Sequence, residues 1–144
     1  MVDLSKCKKG DILISKYGKV LQFLEHTPEE YYDCTVEYVY PYNLGIGSRN
    51  YDGSVFKHKK RDDDEDIVKV YHERFLKVVE IKDYGTKKDF KTFKGRKVKT
   101  EHYDSPGLFI GISDDGHDYV YWVIHDNGEV IGHSPLEKME VTKD

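Results

Sequence analysis

The sequence predicts a mainly β protein built as two small modules, each a small barrel or a strongly bent antiparallel sheet. Three observations carry this. Tyr32, Cys34, Val36, Tyr38 and Tyr40 alternate with Tyr31, Asp33, Thr35 and Glu37, the period-two pattern of a strand with one apolar face. The strand-like runs are short and separated by turn signals. The chain of 144 residues has only 38% apolar and 13% aromatic residues, so its core must come from aromatic and β-branched side chains.

Taken in order, strands are expected at Asp11–Ser15, Lys19–Glu25, Tyr31–Tyr40, Ser54–Lys57, Phe75–Ile81, Leu108–Ile112, Tyr119–Ile124, Glu129–Gly132 and Met139–Thr142. Tyr119–Ile124 is apolar on both faces, as a covered central strand requires. Asp126-Asn127-Gly128-Glu129 carries the Asn-Gly pair of a two-residue hairpin, in which both central positions take φ > 0. Asp52-Gly53 and Asp115-Gly116 are similar turn signals. Ile67, Val70, Tyr71, Phe75, Val78 and Val79 also fit helical spacing. One helix at about 62–80 is therefore the alternative to two strands near 66–71 and 75–81; the β-branched content favours strands.

A weak internal repeat appears when turns are aligned. Gly18–Leu24, Tyr31–Tyr40, Asp52–Phe56 and Asp66–Val70 correspond to Gly107–Ile112, Tyr119–His125, Asn127–Ile131 and Lys138–Val141. Before the last of these, Ser134-Pro135-Leu136-Glu137 has the cap residue, N1 proline and glutamate of one short helical or 3₁₀ turn. This order of elements, opened by Lys9-Gly10-Asp11-Ile12-Leu13-Ile14, resembles tandem SH3-like small barrels of the Tudor or KOW type. The chain departs from those families in long insertions at Pro41–Tyr51 and His58–Glu65. The resemblance implies a binding module, often for nucleic acid or a peptide. The modules are expected at 1–74 and 75–144, the second with a basic insertion at 82–105.

Composition excludes several classes. No run approaches the roughly 20 apolar residues of a membrane span. The opening Met1–Lys6 has no apolar signal core, so secretion is not expected. Cys7 and Cys34 form no metal or redox spacing, and a reducing cytoplasm fits. His117, His125 and His133, eight apart, have no ligand spacing. The run Asp62–Asp66 lacks the glycine and terminal glutamate of a calcium loop. No metal or other cofactor is expected. Ser134 beside His133 points to the opposite strand face, Cys34 belongs to an apolar face, and Gly45-Ile46-Gly47 is too short for a phosphate loop. A non-enzymatic protein is the expectation.

The net charge of −4 conceals segregation. Residues 1–66 carry −3, residues 67–99 carry +7, and residues 100–144 carry −8. The densest basic stretch holds Lys87, Lys88, Lys91, Lys94, Arg96, Lys97 and Lys99, interleaved with Phe90 and Phe93. Such cations neutralise phosphates, and their binding is salt-sensitive. The two rings stack on bases, or else pack inward with Val98 as an ordinary hairpin. Nucleic acid, held by its phosphate backbone, is thus the leading partner. The alternative is a protein partner, with the chain acting as inhibitor or adaptor through Tyr38, Tyr40 and Tyr42, since tyrosine is favoured at interfaces. In a Tudor-like barrel such aromatics cage a cation. A third reading is an oligomeric sponge for a small anionic ligand.

Overall fold

The computed structural model describes residues 2–39, 45–56, 63–74, 85, 89–114 and 117–142. The chain divides into two units, Met1–Arg74 and Phe75–Asp144. Each is mainly β and holds one antiparallel five-stranded sheet.

In the first unit a 3₁₀ turn at Leu4–Lys6 leads to β1 (Asp11–Ser15), β2 (Val20–His26), β3 (Cys34–Tyr38), β4 (Ile46–Arg49) and β5 (Ile67–Arg74), in the order β4-β3-β2-β1-β5. β1 is buried along its whole length, as a central strand with apolar cover demands. Leu4, Leu13, Leu21, Phe23, Val36 and Ile67 form the centre of the core, with Cys7 and Cys34 among them.

In the second unit a 3₁₀ turn at Phe90–Thr92 leads to β6 (Lys97–Thr100), β7 (Tyr103–Asp114), β8 (Tyr119–His125), β9 (Val130–His133) and β10 (Met139–Val141), in the order β10-β6-β7-β8-β9. Trp122 is fully buried on β8 and donates its ring N–H to Ser113 Oγ on β7. Gly107 on β7 lies so close to β8 that an added Cβ would stand 2.4 Å from the Ile124 carbonyl oxygen. Ser134–Glu137 makes the expected turn: the Glu137 N–H donates to the Ser134 carbonyl and the Leu136 N–H to Ser134 Oγ, both at 3.1 Å.

The two units share one scheme, a four-strand meander whose fifth strand returns beside the first. The correspondence extends to single hydrogen bonds. The Cys7 N–H donates to the Leu4 carbonyl and the Phe93 N–H to the Phe90 carbonyl. Next come glycines with left-handed backbone, Gly10 (φ 95°) and Gly95 (φ 71°), a conformation costly for any residue with a Cβ. Gly10 N–H donates to the Phe23 carbonyl at 2.9 Å, and Gly95 N–H to the Phe109 carbonyl at 3.1 Å. β2 and β7 each shift register immediately after that phenylalanine, between Phe23 and Glu25 and between Phe109 and Gly111. Such bulges bend a strand and raise its twist.

Several expectations are corrected. Of the two forms expected for each module the antiparallel sheet is the one found, and neither sheet is closed into a barrel among the described residues: β4 and β5, and β10 and β9, remain edges. Three of these four edge strands have only three or four residues, too short to bridge a closure. Ile67–Arg74 is strand, not helix, because it pairs along β1; Phe75–Ile81 lies outside the described residues. Ser54–Phe56 is not a strand. There Asn50 Nδ2 donates to the Ser54 carbonyl, Asp52 Oδ1 accepts from the Ser54 N–H, and Asp66 Oδ1 accepts from the Val55 N–H, so side chains take the place of a ladder. The fourth strand of the first meander is instead β4, within the stretch expected as an insertion. The stretch 82–105 likewise contains β6 and the start of β7. The strand at Tyr31–Tyr40 shortens to Cys34–Tyr38. At Asp126-Asn127-Gly128 only the glycine has positive φ (89°). The loop is a three-residue hairpin with a left-handed glycine rather than the two-residue type.

Candidate nucleic-acid interface

The basic segment of the second unit is a fixed surface. Its 3₁₀ turn and Gly95 are tied to β7 by paired backbone bonds, Gly95 N–H to the Phe109 carbonyl and Phe109 N–H to the Arg96 carbonyl. Along β6 the side chains alternate: Val98 and Thr100 are buried, while Lys97 and Lys99 face solvent. Lys91, Lys94 and Arg96 are exposed on the preceding turn. Five cations therefore share one turn and one strand face. Lys87 and Lys88 lie outside the described residues.

The two phenylalanines separate. Phe90 is 2% exposed, so its ring belongs to the core and is closed to a base, which corrects its assignment as a contact residue. Phe93 is half-buried. Its ring stands 5.8 Å from that of Phe109 and 6.5 Å from that of Tyr121, and it walls a cleft of about 270 Å³ with Tyr121, Leu136 and Met139. The reading in which the phenylalanines pack inward therefore holds for Phe90 fully and for Phe93 in part.

Acidic neighbours temper the field. Lys97 Nζ is 2.8 Å from Asp126 Oδ2; both are well exposed, and such pairs contribute about 0–1 kcal/mol. Re-pairing Lys97 with a phosphate therefore costs little. Lys99 stands across the ladder from Glu140, which is 3.4 Å from Lys138 Nζ.

The tyrosine cluster is not assembled among the described residues. Tyr38 is half-buried against the first unit's core and its hydroxyl donates to Glu65 Oε2 at 2.9 Å. Tyr40 and Tyr42 lie outside the described residues. Tyr31 is exposed and meets Tyr32 edge-on at 5.1 Å.

The structure also brings together histidines whose spacing carried no signal. His125 and Tyr121 share one face of β8, and His133 lies opposite Tyr121 on β9. His125 Nε2 is 2.8 Å from His133 Nε2, His125 Nδ1 is 2.6 Å from the Ser105 carbonyl, and His133 Nδ1 is 2.8 Å from Glu137 Oε2. The two rings thus join the Ser105 carbonyl and the Glu137 carboxylate in one buried chain of polar contacts. Burial pushes His125 below the usual histidine range, with the Ser105 bond opposing and His133 assisting. Burial alone would raise Glu137, but hydrogen bonds from His133 and the His102 N–H hold it below the ordinary glutamate range. The Tyr103 hydroxyl donates to Glu129, and the Tyr103 ring packs edge-on at 4.2 Å from His125.

Neither thiol is activated. Burial, then nearby acidic groups, pushes Cys7 up to about 11; burial and Asp33 push Cys34 up to about 12. The nucleophilic form of a cysteine is the thiolate, so neither is a ready nucleophile at neutral pH. Cys34 donates its S–H to the Arg49 carbonyl at 3.5 Å. Among the described residues no helix is long and apolar enough to cross a membrane. No protein-family model, curated protein or solved structure matches the chain.

Proposed function

We propose that this chain is a non-enzymatic nucleic-acid-binding protein that holds phosphates on the basic turn and first strand of its second unit. The observation that carries the reading is the display of Lys91, Lys94, Arg96, Lys97 and Lys99 on a segment whose own apolar side chains, Phe90 and Val98, are anchored in the core. A charged surface on a fixed backbone loses little entropy when it meets a polyanion. The meander returned upon its first strand in each unit supports the SH3-like reading of the scaffold. Contacts of this kind position a protein on a backbone and carry no base information, so the reading is of binding with little sequence preference.

The test is fluorescence anisotropy with a short DNA duplex and a matched RNA hairpin over a series of salt concentrations. Four to five neutralised phosphates give a slope of log affinity against log salt of about −4 for duplex DNA. Affinity then falls on the order of a hundredfold between 50 and 200 mM salt. The triple variant Lys91→Glu, Lys94→Glu, Lys97→Glu abolishes binding. Salt-independent binding, or a triple variant that binds like the parent, overturns the assignment.

A further inference from the structure

We propose that Cys7, Asp11 and His72, in the first unit, form a binding site for a thiophilic divalent cation, zinc before others. This does not rest on the nucleic-acid reading. Cys7 closes the first 3₁₀ turn, Asp11 opens β1, and His72 lies on β5. One sulfur, one carboxylate oxygen and one imidazole nitrogen lie within 4.8 Å of one another. The register shift between Asp11 and Ile12 against β5 is what makes the approach, since it places His72 between the pairs Asp11–Arg74 and Ile12–Tyr71.

The donor set selects the metal. Thiolate, imidazole and carboxylate together suit zinc, whereas calcium and magnesium demand oxygen ligands. Zinc bonds of about 2.3 Å to sulfur and about 2.0–2.2 Å to nitrogen or oxygen set tetrahedral donors roughly 3.3–3.6 Å apart. His72 Nδ1 now stands 2.9 Å from Asp11 Oδ2. This hydrogen bond opens by a few tenths of an ångström while the sulfur draws in, and the thiol proton leaves as the metal binds.

The surroundings are those of a supported site. Cys7 and Asp11 are each 2% exposed, while the His72 side chain is 63% exposed, so two ligands are preset at depth and the third stands at the mouth. The Lys8 N–H donates to Asp11 Oδ2 at 3.0 Å. The Cys7 carbonyl is 2.9 Å from His26 Nε2, and His26 Nδ1 is 2.9 Å from the Tyr51 hydroxyl. Partners that orient ligands in this way tune metal affinity. Three protein ligands leave a fourth position for water or for a group on another molecule.

Chelator-treated full-length chain is titrated with zinc by calorimetry and with cobalt(II) by absorption. The expected result is one zinc per chain and a thiolate-to-cobalt charge-transfer band in the near ultraviolet. Cys7→Ser removes that band and Cys34→Ser keeps it. His72→Ala lowers zinc affinity at least about tenfold, in line with the loss of a direct ligand. His72 is exposed, so this variant keeps its fold, checked by circular dichroism, and it carries the test if Cys7→Ser does not fold. Absence of zinc binding at micromolar metal, a cobalt band that survives in Cys7→Ser, or unchanged zinc affinity in His72→Ala overturns the proposal.

Discussion

Replacing Glu137 by glutamine removes a buried, hydrogen-bonded carboxylate and leaves the shape almost unaltered. The native carboxylate accepts from two donors, His133 Nδ1–H at 2.8 Å and the His102 N–H at 2.9 Å. It does so while its side chain is only 7% exposed. The amide in Glu137→Gln offers one acceptor oxygen and turns its NH₂ toward the other donor. Loss of one charge-assisted hydrogen bond costs about 1.5–3 kcal/mol, and a buried donor without an acceptor costs about 1–3 kcal/mol. The expected loss is about 3 kcal/mol. A unit of roughly 70 residues carries roughly 4–10 kcal/mol in all, so the change is large. Trp122 is the single tryptophan and belongs to the second unit, so urea denaturation followed by its fluorescence reports that unit alone. A variant within about 0.5 kcal/mol of the parent, the range of an ordinary surface substitution, refutes the reasoning.

The same network sets a pH dependence. Since burial holds His125 below 6.5, the unfolded chain binds a proton that the folded unit refuses. Stability of the second unit is therefore full above about pH 6.5 and falls as the pH drops through the interval below it. Glu137, held below 4.5, has the same sign and adds a second loss under that value; urea midpoints from about pH 8 to about pH 3 measure both, and a flat profile contradicts the reasoning. Phe90→Ala empties a core position and costs about 3–5 kcal/mol. Phe93→Ala, at the cleft wall, costs less and leaves duplex affinity within about twofold, because phosphate contacts dominate it. The two melts and one anisotropy titration distinguish these outcomes.

Much of the fold was legible because its signals are local. The run Asp11–Ser15 and the doubly apolar Tyr119–Ile124 announce central strands, and Asn127-Gly128 announces a hairpin, though not its turn type. β4 was hidden because Ile46-Gly47-Ser48-Arg49 has no apolar alternation; it forms by pairing with β3, with Arg49 buried and its Nε donating to the Glu65 carbonyl at 3.1 Å. β6 was hidden in its charge, since Val98 and Thr100 are the only inward positions among lysines. Of the candidate sites, the cations were visible as a cluster. The fate of Phe90 was not, because a phenylalanine among lysines serves a core or a surface equally well until β7 is laid beside it. Cys7, Asp11 and His72 could not be read together: 61 residues separate Asp11 from His72, and the register shift of one strand pair joins them.

The opening segments of the two units show how little of the chain the scaffold itself fixes. Each needs one large apolar side chain at the 3₁₀ turn, a glycine five or six residues later, and a phenylalanine whose carbonyl receives that glycine. Several other positions differ between the two copies. Where the first unit has Cys7, the second has Phe93; where the first has Asp11, the second has Arg96. These pairs occupy equivalent places on one hydrogen-bonded template. Used twice in one chain, such a template carries donor atoms in one unit and positive charge in the other, with neither set touching the bonds that hold the turn. The repeat is in this sense a means of divergence: similarity persists in the backbone while the side chains separate into different trades.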